Sequence, residues 1–501
     1  MSHTHVTRWL PWYGLSGLLL LILSLSEAGA YGADLAAYWP EVQVMFPEAT
    51  NLSSSEGTPP SAAVYGVDGV LGYALLTNDV LRIPAYSGKP INSLVGFDLT
   101  GTIRGVRIVE HQEPILVVGI SDADLTRYTA QYSGLAVTDD IRIGGQAAPG
   151  RPTIDSISGA TITVMVINRA VAESVKRVSM ARGLLQAEGE SIRFVPAEPL
   201  WLTLWHQRYW EVAVLSVGLL VLLMILLFQD WLASHPTLLK RVRTGYLLFT
   251  LLFVGAYGMA QLSVVNVLTF VNALLHGFQW ESFLMDPLIF LLWGFVAFTV
   301  LLWGRGVYCG WLCPFGALQE LLFRLGQRLR LPEWEPPAVL HERLWAIKYV
   351  LLIGLFGLSL QSLDNAERVA EAEPFKTVFA LRFLRDWPFV LYALGVLAIG
   401  LVVRKAYCRY LCPLGAALTF PGRFRIFEWL RRRKECGRPC QTCARECEVR
   451  AIKPTGEIIE NECHYCLDCQ VTYWDAHKCP PLVEQRKKAE LRARFSDDPP
   501  T

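Results

Sequence analysis

The sequence predicts a multi-domain chain in three parts: an exported α+β domain, an α-helical membrane domain, and a small cysteine-rich domain at the C-terminus. Three observations carry this. The 501 residues are 52% apolar and only 18% charged, and the apolar ones gather in uncharged runs after residue 210. All twelve cysteines lie between Cys309 and Cys479. A short apolar leader opens the chain. Acids and bases nearly cancel at a formal net charge of +1, which excludes a disordered protein and one that coats nucleic acid.

In the leader, Arg8 precedes a Leu-rich run from Trp9 to Leu25, and Ala28-Gly29-Ala30 supplies the small residues a signal peptidase accepts. Residues 1–30 thus read as a signal peptide, with an uncleaved N-terminal anchor as the alternative. Both put Tyr31 onward outside the cytoplasm. From 31 to 200 the sequence is soluble in character. It has alternating stretches such as Val106 to Val109 and Ile115 to Ile120, punctuated by Gly and Pro, and then a helix from Thr161 to about Leu185.

The membrane domain, 205–435, has five uncharged runs: Val212 to Phe228, Thr244 to Trp280, Pro287 to Gly304, Tyr349 to Leu363 and Trp387 to Val403. A Lys or Arg at mid-bilayer would cost ~2.5–3.5 kcal/mol, so each run is read as a span. The second is long enough for a span plus a half-helix near Val265 to His276. Lys240, Arg241 and Arg243 follow the first span, and Arg305, Arg324, Arg328 and Arg330 follow the third, while Val264 to Asp286 has no Lys or Arg. The positive-inside rule makes the first two segments cytoplasmic and, after five spans, everything beyond Val403 as well. The run Arg431-Arg432-Arg433-Lys434 agrees, and reads as a solvated face toward lipid headgroups.

An internal repeat follows the third and fifth runs. Tyr308-Cys309-Gly310-Trp311-Leu312-Cys313-Pro314 recurs 99 residues later as Tyr407-Cys408-Arg409-Tyr410-Leu411-Cys412-Pro413. Two such CxxxCP elements would bring four thiols to one membrane face. Pro314 disfavours helical geometry at Cys313, so a helix-ending turn competes with a helix there. The four thiols could bind a metal or small cluster, or be unliganded in a structural turn.

The tail, 436–501, holds Cys436-x3-Cys440-x2-Cys443-x3-Cys447 and Cys463-x2-Cys466-x2-Cys469, then Cys479-Pro480. Close-spaced thiolates with a distant fourth before Pro suit cubane clusters, and in two-cluster ferredoxins the fourth cysteine crosses over. This assigns Cys436, Cys440, Cys443 and Cys479 to one [4Fe-4S] cluster and Cys447, Cys463, Cys466 and Cys469 to the other, in a two-cluster ferredoxin-like domain. A pair of zinc sites is the alternative, disfavoured by the tight spacings and the lack of His in a ligand slot. His464 and His477 read as surface residues or as donors near the sulfurs. In the exported domain, Asp155-Ser156-Ile157-Ser158-Gly159-Ala160-Thr161 ends a loop at a helix start. Its composition reads first as a helix capped by Ser158, and second as a phosphate site.

The segment Asp155-x-x-Ser158-Gly159-Ala160-Thr161 resembles the D-x-x-(S/T)-G-A-(T/S) motif of the FMN-binding domain of the Rnf and Nqr redox pumps. With Tyr86-Ser87-Gly88-Lys89-Pro90, Glu110-His111-Gln112-Glu113-Pro114-Ile115-Leu116, both CxxxCP elements and Glu462-Cys463-His464-Tyr465-Cys466-Leu467-Asp468-Cys469-Gln470, the chain resembles the NosR/NirI family of membrane iron-sulfur flavoproteins over nearly its whole length. The resemblance implies a covalent periplasmic FMN on Thr161, beside Asp155, Ser158, Gly159 and Ala160, and two cytoplasmic [4Fe-4S] clusters in a bacterial inner-membrane protein. It implies a role in the expression and activity of nitrous oxide reductase or nitrite reductase in denitrification. The expected partners are the periplasmic nitrous oxide reductase or its maturation system, and the quinol pool or a cytoplasmic electron donor. No direct nucleic-acid contact is expected, since the chain shows no DNA-binding module. The family's exported segment is longer: here only 48 residues separate Thr161 from Trp210.

A flavin outside and clusters inside predict transmembrane electron transfer, with quinol oxidation as a possible reaction. The hydrocarbon core is ~30 Å thick, so a relay is needed, either a quinone among the spans or a site at Cys309, Cys313, Cys408 and Cys412. The competing expectations are a redox-sensing regulatory membrane protein and a related flavoprotein of organohalide respiration. The ferredoxin-like tail speaks against the last.

Overall fold

The computed structural model describes residues 35–85, 89–111, 122–144, 150–157, 161–184, 199–276, 278, 280–361, 365–366, 369–437 and 440–496. The leader, and the expected strand at Ile115 to Ile120, lie outside them.

The first domain is a five-stranded antiparallel meander: β1 (Asn51–Leu52), β2 (Ala62–Gly66), β3 (Gly69–Leu76), β4 (Asn92–Asp98) and β5 (Ile103–Glu110), in spatial order 1-2-3-4-5. A short parallel pair, β6 (Arg142–Ile143) and β7 (Thr153–Ile154), leads to the helix Thr161–Ala181. Every residue of β4 is buried, because both faces of the sheet are covered. Leu75, Val95, Phe97 and Val106 join Val164, Ile167, Val171 and Val175 of the long helix in one core. Their neighbours Ala74, Leu76 and Leu94 face the other way and pack with Leu35, Val42 and Phe46 of the N-terminal helices. Gly96 and Gly105 are cross-strand partners. A Cβ on Gly96 would come within 2.8 Å of Phe46, and one on Gly105 within 2.8 Å of Met45, so these glycines form the floor on which that helix lies.

The uncharged runs are helical: Tyr209–Leu227, Pro236–Phe249 with its π-helical continuation Thr250–Tyr257, Val264–His276, Pro287–Trp303, Ala338–Gln361 and Trp387–Val402. The second run divides as its length suggested, into a helix ending at Tyr257 and a half-helix from Val264. Among the described residues two helices, Tyr209–Leu227 and Val339–Gln361, are long and apolar enough to cross a membrane by themselves. Val264–Leu275, Pro287–Trp303 and Trp387–Val402 are shorter. Their inward residues, including Leu222, Leu292 and Leu355, form one core, and Val217, Leu220 and Ile353 remain exposed on the outside.

The two ends of this bundle differ. At one end Trp205 Nε1 donates to Leu284 O (2.8 Å), Arg208 pairs with Asp286 (3.5 Å), and Leu200, Leu204 and Met285 join the core of the α+β domain. At the other end the cysteine-rich tail packs, and Tyr465 Oη donates to Gln229 Oε1 (2.7 Å) just past the helix Tyr209–Leu227. A helix of 19 residues separates these contacts, about 28 Å at 1.5 Å per residue.

Candidate redox centres

The two CxxxCP elements have the same local build. Tyr308–Leu312 forms a single π-type turn and Ala406–Tyr410 one turn of α-helix. Each then breaks at its second cysteine, with Cys313 at φ −77°, ψ 113° and Cys412 at φ −72°, ψ 107°. The following prolines start new helices at their first positions, where a missing N–H costs nothing. The turn, not a continuous helix, is therefore what Pro314 and Pro413 impose. Each of these cysteines also caps the helix after it: Gly316 N donates to Cys313 Sγ (3.4 Å) and Gly415 N to Cys412 Sγ (3.2 Å). Backbone N–H groups at a helix start favour a thiolate.

Tertiary packing brings the four thiols together. Cys309, Cys313, Cys408 and Cys412 line one enclosed cavity, closed by Tyr308, Tyr407 and Phe375. Gln261, in the break before the half-helix Val264–His276, donates from Nε2 to Cys313 Sγ (3.4 Å) and accepts from Phe315 N (3.2 Å). Tyr407 Oη is buried there without a hydrogen-bond partner among the described residues.

The tail holds two further sets. Cys436, Cys440, Cys443 and Cys479 line one small cavity with Thr442 and Tyr473. The x3 gap after Cys436 is taken up by Gly437 at φ +109°, where a Cβ would fall 2.1 Å from Thr455 O. In the second set, Cys447 lies close enough to Cys463, Cys466 and Cys469 for its charge to disfavour ionisation of each. Burial is the larger cause, and it pushes Cys463 up to about 11 and Cys469 up to about 12. Such thiols ionise readily only when a metal takes the proton's place. Backbone or side-chain N–H groups already point at sulfur: Ala451 N at Cys447 (3.3 Å), Tyr465 N at Cys463 (3.4 Å), Gln470 Nε2 at Cys469 (3.5 Å). Cys443 Sγ reaches Cys469 O at 3.8 Å, so the two sets adjoin.

The only three potential metal-ligand atoms lying within 4.8 Å of one another among the described residues belong to Glu448, Cys466 and Asp468. Four thiolates on one zinc at ~2.3 Å would sit ~3.8 Å apart. No cysteine set has that contraction, whereas a cubane holds its thiolates at the corners of a larger tetrahedron.

The tail is locked onto the first CxxxCP element. A Cβ on Gly310 would lie 1.8 Å from His464 O, and one on Gly306 2.7 Å from Cys463 O. Trp311 Nε1 donates to Tyr465 O (3.0 Å), and Tyr465 and Leu467 belong to the core of the helical bundle. Arg305 forks between Gly415 O (2.8 Å) of the second repeat and Glu462 (3.2 Å), which also pairs with Lys348. Arg243 donates to Cys466 O (2.7 Å) and to Glu320 (2.7 Å). His464 is 2% exposed, so it is no surface residue. The Arg431–Lys434 run is likewise not a simple solvated face: Arg431 pairs with Asp230 (2.8 Å), Arg432 Nε donates to Gly456 O (3.0 Å) and Arg433 Nη2 to Tyr473 O (3.2 Å). Arg431 thus ties the tail to the bundle, while Arg432 and Arg433 satisfy carbonyls of the tail itself.

Sequence reasoning missed Gly306 and Gly310, yet a signal existed. In the second repeat the equivalent positions are Lys405 and Arg409, so only the first repeat leaves room for the tail. In the α+β domain, β7 delivers Asp155, whose N–H donates to Gln131 Oε1 (2.7 Å). Thr161 opens the long helix. Ser158, Gly159 and Ala160 lie outside the described residues, as does the side chain of Thr161.

Family comparisons match the same segments. A family model described as FMN-binding domain matches residues 86–176, one described as 4Fe-4S binding domain matches 285–332 and 386–435, and one described as NosR matches 434–490. The 4Fe-4S match thus falls on the two CxxxCP hairpins. A regulatory protein NosR from Pseudomonas aeruginosa is 36% identical over 690 aligned positions, covering 95% of this chain and 96% of the relative. One from Stutzerimonas stutzeri is 35% identical, covering 94% of each. Protein NirI of Paracoccus denitrificans is 51% identical over 302 residues, covering 60% of this chain and 44% of that protein. The alignment with the first is longer than the 501 residues here, so that relative carries inserted sequence. With matches to an FMN-binding domain, to a 4Fe-4S binding domain on both CxxxCP hairpins and to NosR in one order along one chain, the protein belongs to the NosR/NirI family.

Proposed function

We propose that the protein is a transmembrane electron-transfer flavoprotein of denitrification that supports nitrous oxide reductase, through electron supply, maturation or expression of the reductase. The observation that carries this reading is the seating of the Cys463–Leu467 loop on Gly306 and Gly310, which puts a tail cysteine set beside the first CxxxCP element. The α+β domain sits at the opposite end of the helices. That order suits the passage of electrons along the bundle.

In this reading Thr161 carries FMN by its phosphate, with Asp155, Ser158, Gly159 and Ala160 around it, and the two tail sets hold one [4Fe-4S] cluster each. Cys309, Cys313, Cys408 and Cys412 hold a third metal-sulfur group, and a quinone among the spans is the other candidate relay. When bound, the flavin supplies one- or two-electron exchange and the clusters one-electron exchange. The chain's own part is to exclude water from the thiols, aim N–H groups at sulfur, and fix the sets against one another through Arg305, Arg243 and Trp311. The domains are 31–200 on the periplasmic side after a signal or anchor at 1–30, 205–435 with five spans in a bacterial inner membrane, and 436–501 in the cytoplasm. The charge of the connecting segments supports this orientation.

A redox-sensing regulator is the second reading, favoured by the name regulatory protein that the NosR relatives bear. Thr161→Ala separates the two. Under electron delivery, cells keep normal reductase protein and lose nitrous oxide reduction. Loss of the reductase protein itself would favour sensing.

A further inference from the structure

A cleft of about 930 Å³ opens where the inner end of the helix Pro287–Trp303 meets the tail; Cys436 and Cys463 reach its lining, but its rim has no part in the redox reading. One wall comes from the bundle, at Trp303–Gly306 and Thr419–Gly422, and the other from tail residues 453–461. Seven cationic side chains line it against three glutamates. All three glutamates are paired, Glu457 with Lys453 (2.8 Å) and both Glu460 and Glu428 (3.6 Å) with Arg425, which leaves five of the cations without a carboxylate from the cleft. Arg423 and Lys434 are exposed at the rim.

Trp303 Nε1 and Arg305 Nε are buried donors without partners among the described residues and both residues line the cleft, whereas Arg432 and Arg433 also line the cavity of Cys436, Cys440, Cys443 and Cys479. Trp303 is 4% and Arg305 2% exposed. Native folds rarely leave buried donors unmatched, and two of them beside a cationic rim ask for an oxyanion. Beside the cleft the chain is apolar and open: Phe424 is 76% and Ile426 67% exposed, next to the stacked rings of Trp303 and Trp429 (5.1 Å). Arginines with exposed Phe, Ile and Trp at the end of an apolar helix are the composition of a membrane interface.

We propose that this cleft binds the phosphate of an anionic phospholipid of the inner leaflet, its acyl chains passing over Phe424 and Ile426. The inference rests on the reading that the helices span a membrane. Because the two walls belong to the bundle and the tail, the lipid ties one to the other. An acidic carrier protein would use the cations but would leave the buried donors and the exposed Phe424 and Ile426 unexplained.

The test uses the full chain with its cofactors. Carbonate washing first checks that it stays in the membrane, and release there would overturn the membrane reading itself. The protein in detergent is then offered equal phosphatidylglycerol and phosphatidylcholine, and retained lipid is counted by native mass spectrometry. The expected result is one phosphatidylglycerol, preferred by roughly tenfold, with the preference lost in Arg423→Gln/Lys434→Gln at unchanged iron content. Tail cleavage by protease should rise when that lipid is removed. Equal retention of both lipids by the wild type overturns the proposal without reference to any variant. Full displacement by millimolar inorganic pyrophosphate assigns the cleft to a soluble phosphate, and protection of its arginines by an acidic ferredoxin but not by lipid assigns it to a protein. Either result overturns the lipid.

Discussion

Two residues show how much a single side chain decides. Asp98 closes the turn between β4 and β5: Oδ1 accepts from Thr100 N (2.9 Å) and Thr102 N (3.0 Å), and Oδ2 from Arg104 Nε (3.0 Å). Burial raises its pKa, but these hydrogen bonds and Arg104 outweigh that and hold it below the usual carboxylate value. A depressed pKa stabilises the fold above the unfolded value, and that contribution is lost as pH falls through about 4 and below. Asp98→Asn should therefore cost ~1–2 kcal/mol at neutral pH and flatten the acid-side loss. Hydrogen exchange at Thr100 and Thr102 measures both. Tyr407 is the second case, with a buried hydroxyl that lacks a protein partner among the described residues and lines the four-thiol cavity. A donor to sulfur raises the potential of a metal-sulfur group. Tyr407→Phe should keep its iron and shift one midpoint to more negative values in redox titration, and an unshifted set of midpoints would remove Tyr407 from the site.

At the scale of elements, the repeat matters less for its likeness than for its asymmetry. Both copies make the same turn and cap, yet only the first, with Gly306 and Gly310, accepts the tail backbone. In Gly310→Ala the new Cβ would stand 1.8 Å from a backbone oxygen, which cannot swing aside as a side chain could. We expect ~1–3 kcal/mol of lost docking, read as faster proteolysis of the tail. Gly245→Ala, with nothing within 4 Å of the added carbon, should leave tail protection unchanged. The split second run belongs to the same scale. The turn at Gly258–Ser263 costs a helix its continuity but delivers Gln261 to Cys313.

For the whole molecule the question is how charge passes a bundle about 28 Å long, measured over 19 residues of helix. The loop that carries one tail set seats on the first CxxxCP element, so the distance left to bridge runs from that element to the α+β domain. If the cavity holds a cubane, the purified chain should carry about twelve irons, falling to about eight in Cys309→Ser/Cys408→Ser. Eight irons in the wild type would leave a quinone as the relay.

The sequence by itself determined the order of the parts and the grouping of cysteines by spacing, and it narrowed Pro314 to a turn or a helix, because each depends on neighbours a few residues apart; the structure decided for the turn. The shortened link after Thr161 was legible for the same reason. Only the tertiary structure decided that Cys309 and Cys408 meet, that His464 is buried, that Arg431 pairs with Asp230 of the bundle, and that Arg432 and Arg433 hold tail carbonyls. Those pairings join positions from 24 to about 200 residues apart, beyond the reach of local propensity, so packing chooses the neighbour.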